Sequence, residues 1–185
     1  MESPDVPWAK NEDGRIRKRP DGKPSQAAVF FFEFLKTKGV THGRMVDIGC
    51  GSGRNAIFFA ENGYEVHAVD RSDDVLKDMD LHGVMPHCHS VTDSWLFEDG
   101  FFDLAMDIFC FSEQNNSNHR SLYLSELRRV LKRGAYLLLC VPAGMGIKSN
   151  VIADFGGFEL AESMEYEERV HGKAVKALGL IFRRG

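Results

Sequence analysis

The chain has 185 residues, 43% hydrophobic and 27% charged, and a formal net charge of −4. That length suits one domain burying about 70% of the surface its unfolded chain would expose, and the acidic balance gives no overall electrostatic case for nucleic-acid binding. No apolar run reaches the roughly eighteen residues a bilayer crossing needs, and the N-terminus has no signal-peptide core.

Residues 1–23 are polar, hold Pro4, Pro7, Pro20 and Gly22, and carry a basic cluster from Arg15 to Arg19. A flexible segment or lid is expected there, ahead of a single folded domain over residues 24–185. Ser25 is placed to cap a helix through Ala27, Ala28, Phe30, Phe31, Phe34 and Leu35, stopped by Gly39. Residues 45–48 read as a buried strand, 55–62 as a helix ended by Gly63, and 65–69 as a second strand. Ser72 starts a short helix through Met79, with Asp73 and Asp74 complementing its dipole. Residues 86–91 are expected as the third strand and 102–108 as the fourth. Leu124, Leu127, Val130 and Leu131 recur at helical spacing over 118–132. The near-continuous apolar run 135–141 has the character of a central parallel strand, closed by Pro142. A short helix over 151–155 precedes two strands, 158–166 and 174–182, around a turn at Gly172. This alternation demands an α/β fold with a mostly parallel sheet, right-handed crossovers and helices on both faces. The last pair is linked too briefly for a crossover and is expected to be antiparallel.

The densest signal is Val46-Asp47-Ile48-Gly49-Cys50-Gly51-Ser52-Gly53-Arg54-Asn55, with Asp70 closing the next strand. Glycines at alternate positions let a chain turn sharply at a strand's end and let a ligand lie against the backbone. A strand-terminal carboxylate such as Asp70 can accept from both hydroxyls of a ribose. A dinucleotide fingerprint needs its third glycine where Arg54 stands. The pattern is instead Asp-x-Gly-x-Gly-x-Gly, which resembles motif I of the class I S-adenosylmethionine-dependent methyltransferases. That resemblance implies a Rossmann-like seven-stranded sheet in the order 3-2-1-4-5-7-6, with strand 7 antiparallel. It implies S-adenosylmethionine as cofactor, S-adenosylhomocysteine as product, and a contact set comprising Asp47, Gly49, Cys50, Gly51, Ser52, Gly53, Asn55, Asp70 and Arg71. The stretch Val91 to Asp103 resembles the family's adenine loop, which implies that Asp93 accepts from the adenine amino group and that the Ser94 amide faces a ring nitrogen. Trp95 reads equally as a cover for the adenine or as a core-edge indole. Asp107 and Ile108 fall where the family's backbone meets the methionine end. Asp103 reads as a structural residue at the start of the fourth strand.

Gly53-Arg54-Asn55 with Ala60-Glu61-Asn62-Gly63-Tyr64-Glu65-Val66 resembles the tellurite-resistance and thiopurine-type branch, which implies a small soft nucleophile or oxyanion as acceptor. A small-molecule acceptor is therefore expected. An RNA substrate held by the basic segment and Arg128 to Arg133, or a cofactor-binding module without transfer, stand as alternatives. Glu113, His119 and His171 are the candidate bases, each reading as solvent-facing or helix-capping, so no catalytic residue is assigned. Cys50, Cys88, Cys110 and Cys140 stand singly, which suits neither a zinc site nor a disulfide scaffold; no metal is expected, and reduced thiols in a cytoplasmic protein are.

Overall fold

The computed structural model describes residues 22–185 apart from 78, 80–81, 145 and 171–172. The expected N-terminal segment or lid therefore lies, save for Gly22 and Lys23, outside the described residues, as do His171 and the turn at Gly172. In chain order the elements are α1 (Gln26–Thr37), β1 (Arg44–Ile48), α2 (Arg54–Glu61), β2 (Glu65–Asp70), α3 (Asp73–Leu76), β3 (Val84–Cys88) and β4 (Phe102–Ile108). A single 3-10 turn (Phe111–Glu113) follows, then α4 (Ser117–Val130), β5 (Leu131–Pro142), α5 (Ile147–Asp154), β6 (Phe158–Val170) and β7 (Lys173–Arg184). The seven strands form one sheet in the order β3-β2-β1-β4-β5-β7-β6, parallel except for β7. This is the expected topology.

Strand alternation sends Met45 and Asp47 to one face of β1 and Val46 and Ile48 to the other. On the first face Met45, Met106 and Leu138 pack with Phe31 and Leu35 of α1 and Phe59 of α2. Across the sheet, Val46, Ile48, Leu137 and Leu139 meet Tyr123 and Leu127 of α4 and Phe155 after α5. Each fully buried Phe or Leu contributes about 1.5–3 kcal/mol relative to exposure. The Ser25 hydroxyl accepts from the Ala28 amide at 3.1 Å, and its own N–H donates to Asn55 Oδ1 at 2.8 Å. The start of α1 is thus tied to the start of α2.

Several expected boundaries are corrected: α3 ends at Leu76, short of Met79, and α5 starts at Ile147, a turn before the expected 151. The third strand runs 84–88, not 86–91, because Ser90 Oγ takes the Thr92 N–H and lies 2.8 Å from Thr92 Oγ1, turning the chain out of the sheet. The fourth helix stops at Val130, since Leu131 is extended and pairs with Phe102; residues 131–134 belong to β5. The final hairpin is longer than expected at both ends, with thirteen residues in β6 and twelve in β7. The edges of the sheet differ. β3 is five residues long and includes Pro86, whereas β6 exposes Glu159, Glu162, Glu165 and Glu167.

Candidate cofactor site

Strand order reverses between β1 and β4, so ligands of this fold class lie beyond the C-terminal ends of those strands. There β1 runs into the glycine loop. Gly49, Gly51 and Gly53 have φ of 68°, 53° and 72°, the left-handed region that glycine enters at no steric cost. A Cβ at Gly49 would lie 2.7 Å from Cys110 Cβ, so the loop passes the end of β4 only without a side chain. The space a side chain at Gly51 would fill is open, with nothing within 4 Å. The Gly49 and Cys50 amides donate to the Val69 carbonyl at 2.8 and 3.0 Å, which fixes the loop to β2. Ser52 is half-buried beside them, and Gly53 N–H closes the turn on the Cys50 carbonyl at 3.0 Å.

Asp70 braces this loop from the side. Its Oδ2 accepts from the Gly51 amide at 3.1 Å and its Oδ1 from the Ser72 amide at 2.9 Å. A carboxylate offers about four lone-pair positions, so capacity for two ribose hydroxyls remains. Asn55 is buried, and its amide oxygen is taken by Ser25.

Two further carboxyls lie beneath the loop. Asp47 is 3% exposed, and its Oδ2 has no hydrogen-bond partner among the described residues. Burial pushes its pKa up to about 8, the charges of Asp107 and Asp70 add to this, and Arg54 and the Ala56 amide oppose it. Asp107 is fully buried; its Oδ2 accepts from the Tyr123 hydroxyl at 2.5 Å and from the Phe111 amide at 3.0 Å. Burial raises its pKa to about 7 against those bonds. Its carboxylate thus holds the turn after β4, where Phe109 has a φ of 74° and Ile108 is half-buried.

Burial and the neighbouring aspartates raise the Cys50 and Cys110 thiols well above their usual value, so both are protonated and unreactive near neutral pH. Arg71 and Glu113 are both exposed beyond the strand ends; burial raises the Glu113 carboxyl and Arg71 lowers it. Of the candidate bases, Glu113 is coupled to this region through Arg71 and Cys110. His119 sits exposed in the first turn of α4.

The expected adenine loop is pinned from α4. Glu126 accepts from the Trp95 amide at 2.6 Å, while Arg129 donates to the carbonyls of Trp95 and Phe97 and to Asp99. Asp93 and Ser94 stand exposed on that loop, the Ser94 carbonyl 2.9 Å from His89 Nε2. Trp95 resolves to the core: its indole donates to the Val91 carbonyl and its ring meets Tyr123 edge-on. Asp103 accepts from the Arg44 amide and from Lys132, the structural role expected of it. Sequence reasoning missed the loop-holding pair Glu126 and Arg129, which no motif marks. It also passed over Arg54, whose one signal was that it replaces a glycine.

A glycine turn at the switch point and a strand-end acid are the features from which the nucleoside pockets of α/β enzymes are built. A family model described as a methyltransferase domain matches residues 46–139, about half of the chain, and the chain belongs to that family. Its cofactor is S-adenosylmethionine, and the residues fit that group: open space over Gly51, spare acceptors on Asp70 and an orphaned oxygen on Asp47. No curated protein matches the sequence. Solved structures share the fold. One, from work on the conversion of a disulfide bond into a thioacetal group during echinomycin biosynthesis, is 20% identical, with TM-score 0.72 over 89% of this chain and 83% of that one. A SAM-dependent methyltransferase from Methanosarcina mazei is 18% identical, with TM-score 0.70 over 78% and 93% of the two chains. The Burkholderia thailandensis 1,6-didemethyltoxoflavin-N1-methyltransferase, solved with its substrate and S-adenosylhomocysteine, is 18% identical, with TM-score 0.69 over 86% and 78%. Among the described residues no helix is long and apolar enough to cross a membrane, and no group of three metal-ligating side chains forms.

Proposed function

We propose that this chain methylates a small molecule, with Gly49 to Gly53, Asp70, Arg71, Asp93, Ser94 and the backbone of Asp107 and Ile108 holding the methyl donor. The observation that carries this is the convergence of Asp47, Asp70 and Asp107 beside the glycine loop, close enough that the latter two raise the Asp47 pKa. Two buried carboxyls that hold protons when alone would ionise more readily beside a cation, so such a pocket favours one, and a sulfonium is a cation. When bound, S-adenosylmethionine would supply an electrophilic methyl for an acceptor's lone pair, with the carbon–sulfur electron pair left on sulfur. The protein's part is alignment and exclusion of water, worth about 7–11 kcal/mol of barrier in well-oriented systems. An acceptor that carries a proton releases it toward Glu113 or solvent.

Two features support a small acceptor over RNA. Arg128 and Arg129 are spent on internal carbonyls and carboxylates, and Lys132 on Asp103. They also cluster around the junction of α4 and β5, at the opposite end of the sheet from the glycine loop. The resemblance of residues 53–66 supports a soft nucleophile of the tellurite-resistance or thiopurine type. Four free thiols support a cytoplasmic setting. We place the domain over residues 24–185, and at its start Arg54 Nη1 donates to the Lys23 carbonyl at 3.3 Å. Titration calorimetry with S-adenosylhomocysteine, then a metabolite-pool screen with radiolabelled donor, tests the reading. Absence of binding overturns it, and label appearing in bulk tRNA with salt-sensitive affinity would move the substrate to RNA.

A further inference from the structure

Beyond the last pair with β5, Pro142↔Ala177 through β7, the β6–β7 hairpin continues for four more pairs, from Glu167↔Lys176 to Val170↔Lys173. A hairpin projecting past a sheet end is ordinarily wet on both faces, yet Glu168 is only 5% exposed. Arg54 covers it, with Nη2 3.9 Å from Glu168 Oε2 and a side chain that is itself largely buried. Tyr166, two residues earlier on the same face, is buried as well. Arg54 is the first residue of α2, directly after the left-handed Gly53. Whatever orders the glycine loop therefore orders the base of this ion pair. An exposed pair would count for little, but this one is shielded from solvent, which strengthens the attraction between its charges.

We propose that Arg54 transmits cofactor occupancy to the β6–β7 hairpin, which becomes a formed wall for the methyl acceptor once the donor is seated. The mechanism is ordering rather than displacement: a ligand that stiffens the loop lowers the cost of holding Arg54 against Glu168, and hydrogen exchange reads this directly. Arg54 is then a positioning residue for the acceptor side. The inference rests on the loop assignment proposed above.

The experiment is hydrogen–deuterium exchange on the full chain with and without S-adenosylhomocysteine, for wild type, Arg54→Gln and Glu168→Gln, with calorimetry alongside. Wild type should show slowing at residues 46–56 and, by about threefold or more, at 164–177. Either variant should lose the ligand-dependent slowing of the hairpin while the loop stays protected and affinity holds within about threefold. Binding with loop protection but no hairpin response in wild type overturns this inference alone, as does an undiminished response in both variants. Failure of S-adenosylhomocysteine to bind wild type overturns the loop assignment and this inference together. Should Arg54→Gln fail to fold, Glu168→Gln removes the same contact from the other side.

Discussion

Asp47 and Asp107 occupy neighbouring strands within one residue of the same height, but on opposite faces of the sheet. Both are buried and both are held far above the ordinary carboxylate range. Asp107 is matched by a hydroxyl and a backbone amide, whereas Asp47 keeps one oxygen with no partner among the described residues. The face toward α4 is thus finished architecture, and the face toward α2 is left chemically incomplete. Buried polar atoms are almost always satisfied, so each exception calls for a physical reason.

The sharpest test of that contrast is Asp107→Ala, which orphans the Tyr123 hydroxyl and the Phe111 amide. It should cost about 3 kcal/mol and lower the melting temperature by about 6–12 °C. A melt within a degree of wild type would show that the finished face is not finished by this residue. Next is Asp70→Ala, which should weaken S-adenosylhomocysteine binding at least about tenfold, or 1.4 kcal/mol, with the fold intact; unchanged calorimetry removes Asp70 from the site. Third comes pH. Between the ordinary aspartate value near 3.8 and about 8, folded Asp47 holds a proton that the unfolded chain releases. Stability contributed this way is full at low pH, falls as pH rises through that window and is flat above it; Asp107 acts with the same sign up to about 7. Asp47→Asn should therefore flatten the decline and gain on wild type at pH 8 relative to pH 5, as thermal melts would report. Parallel melting curves for the two proteins would place the ionisation elsewhere. Smallest is Gly51→Ala, which meets no atom but forces φ of 53° on a side chain, a cost of about 1 kcal/mol. Gly49→Ala, which strikes Cys110, should cost visibly more in the same denaturation assay.

The sheet order and the glycine loop were legible because both rest on local rules: apolar runs for buried strands, and glycine where the chain turns left-handed. What escaped depended on partners distant in sequence. Nothing around Asp107 signals that Tyr123, sixteen residues on, will turn its carboxylate into the core. Leu131 reads as the end of a helix until its pairing with Phe102 makes it a strand. The extra length of the last hairpin is equally non-local, since β-pairs support one another where single-strand periodicity has faded. Trp95 was open between two roles until Glu126 and Arg129 fixed its backbone against α4.

The outermost strand carries a consequence of its own. Along the thirteen residues of β6, every second amide and carbonyl turns away from β7 and offers a template on which a second copy would stack, while β3 is too short and too interrupted by Pro86 to do so. Glu159, Glu162, Glu165 and Glu167 line that border with like charge, so an approaching twin meets repulsion before it meets hydrogen bonds. Exchanging Glu162 and Glu165 for threonine would leave the interior untouched and remove that guard. The altered chain should then sediment as larger species as its concentration rises.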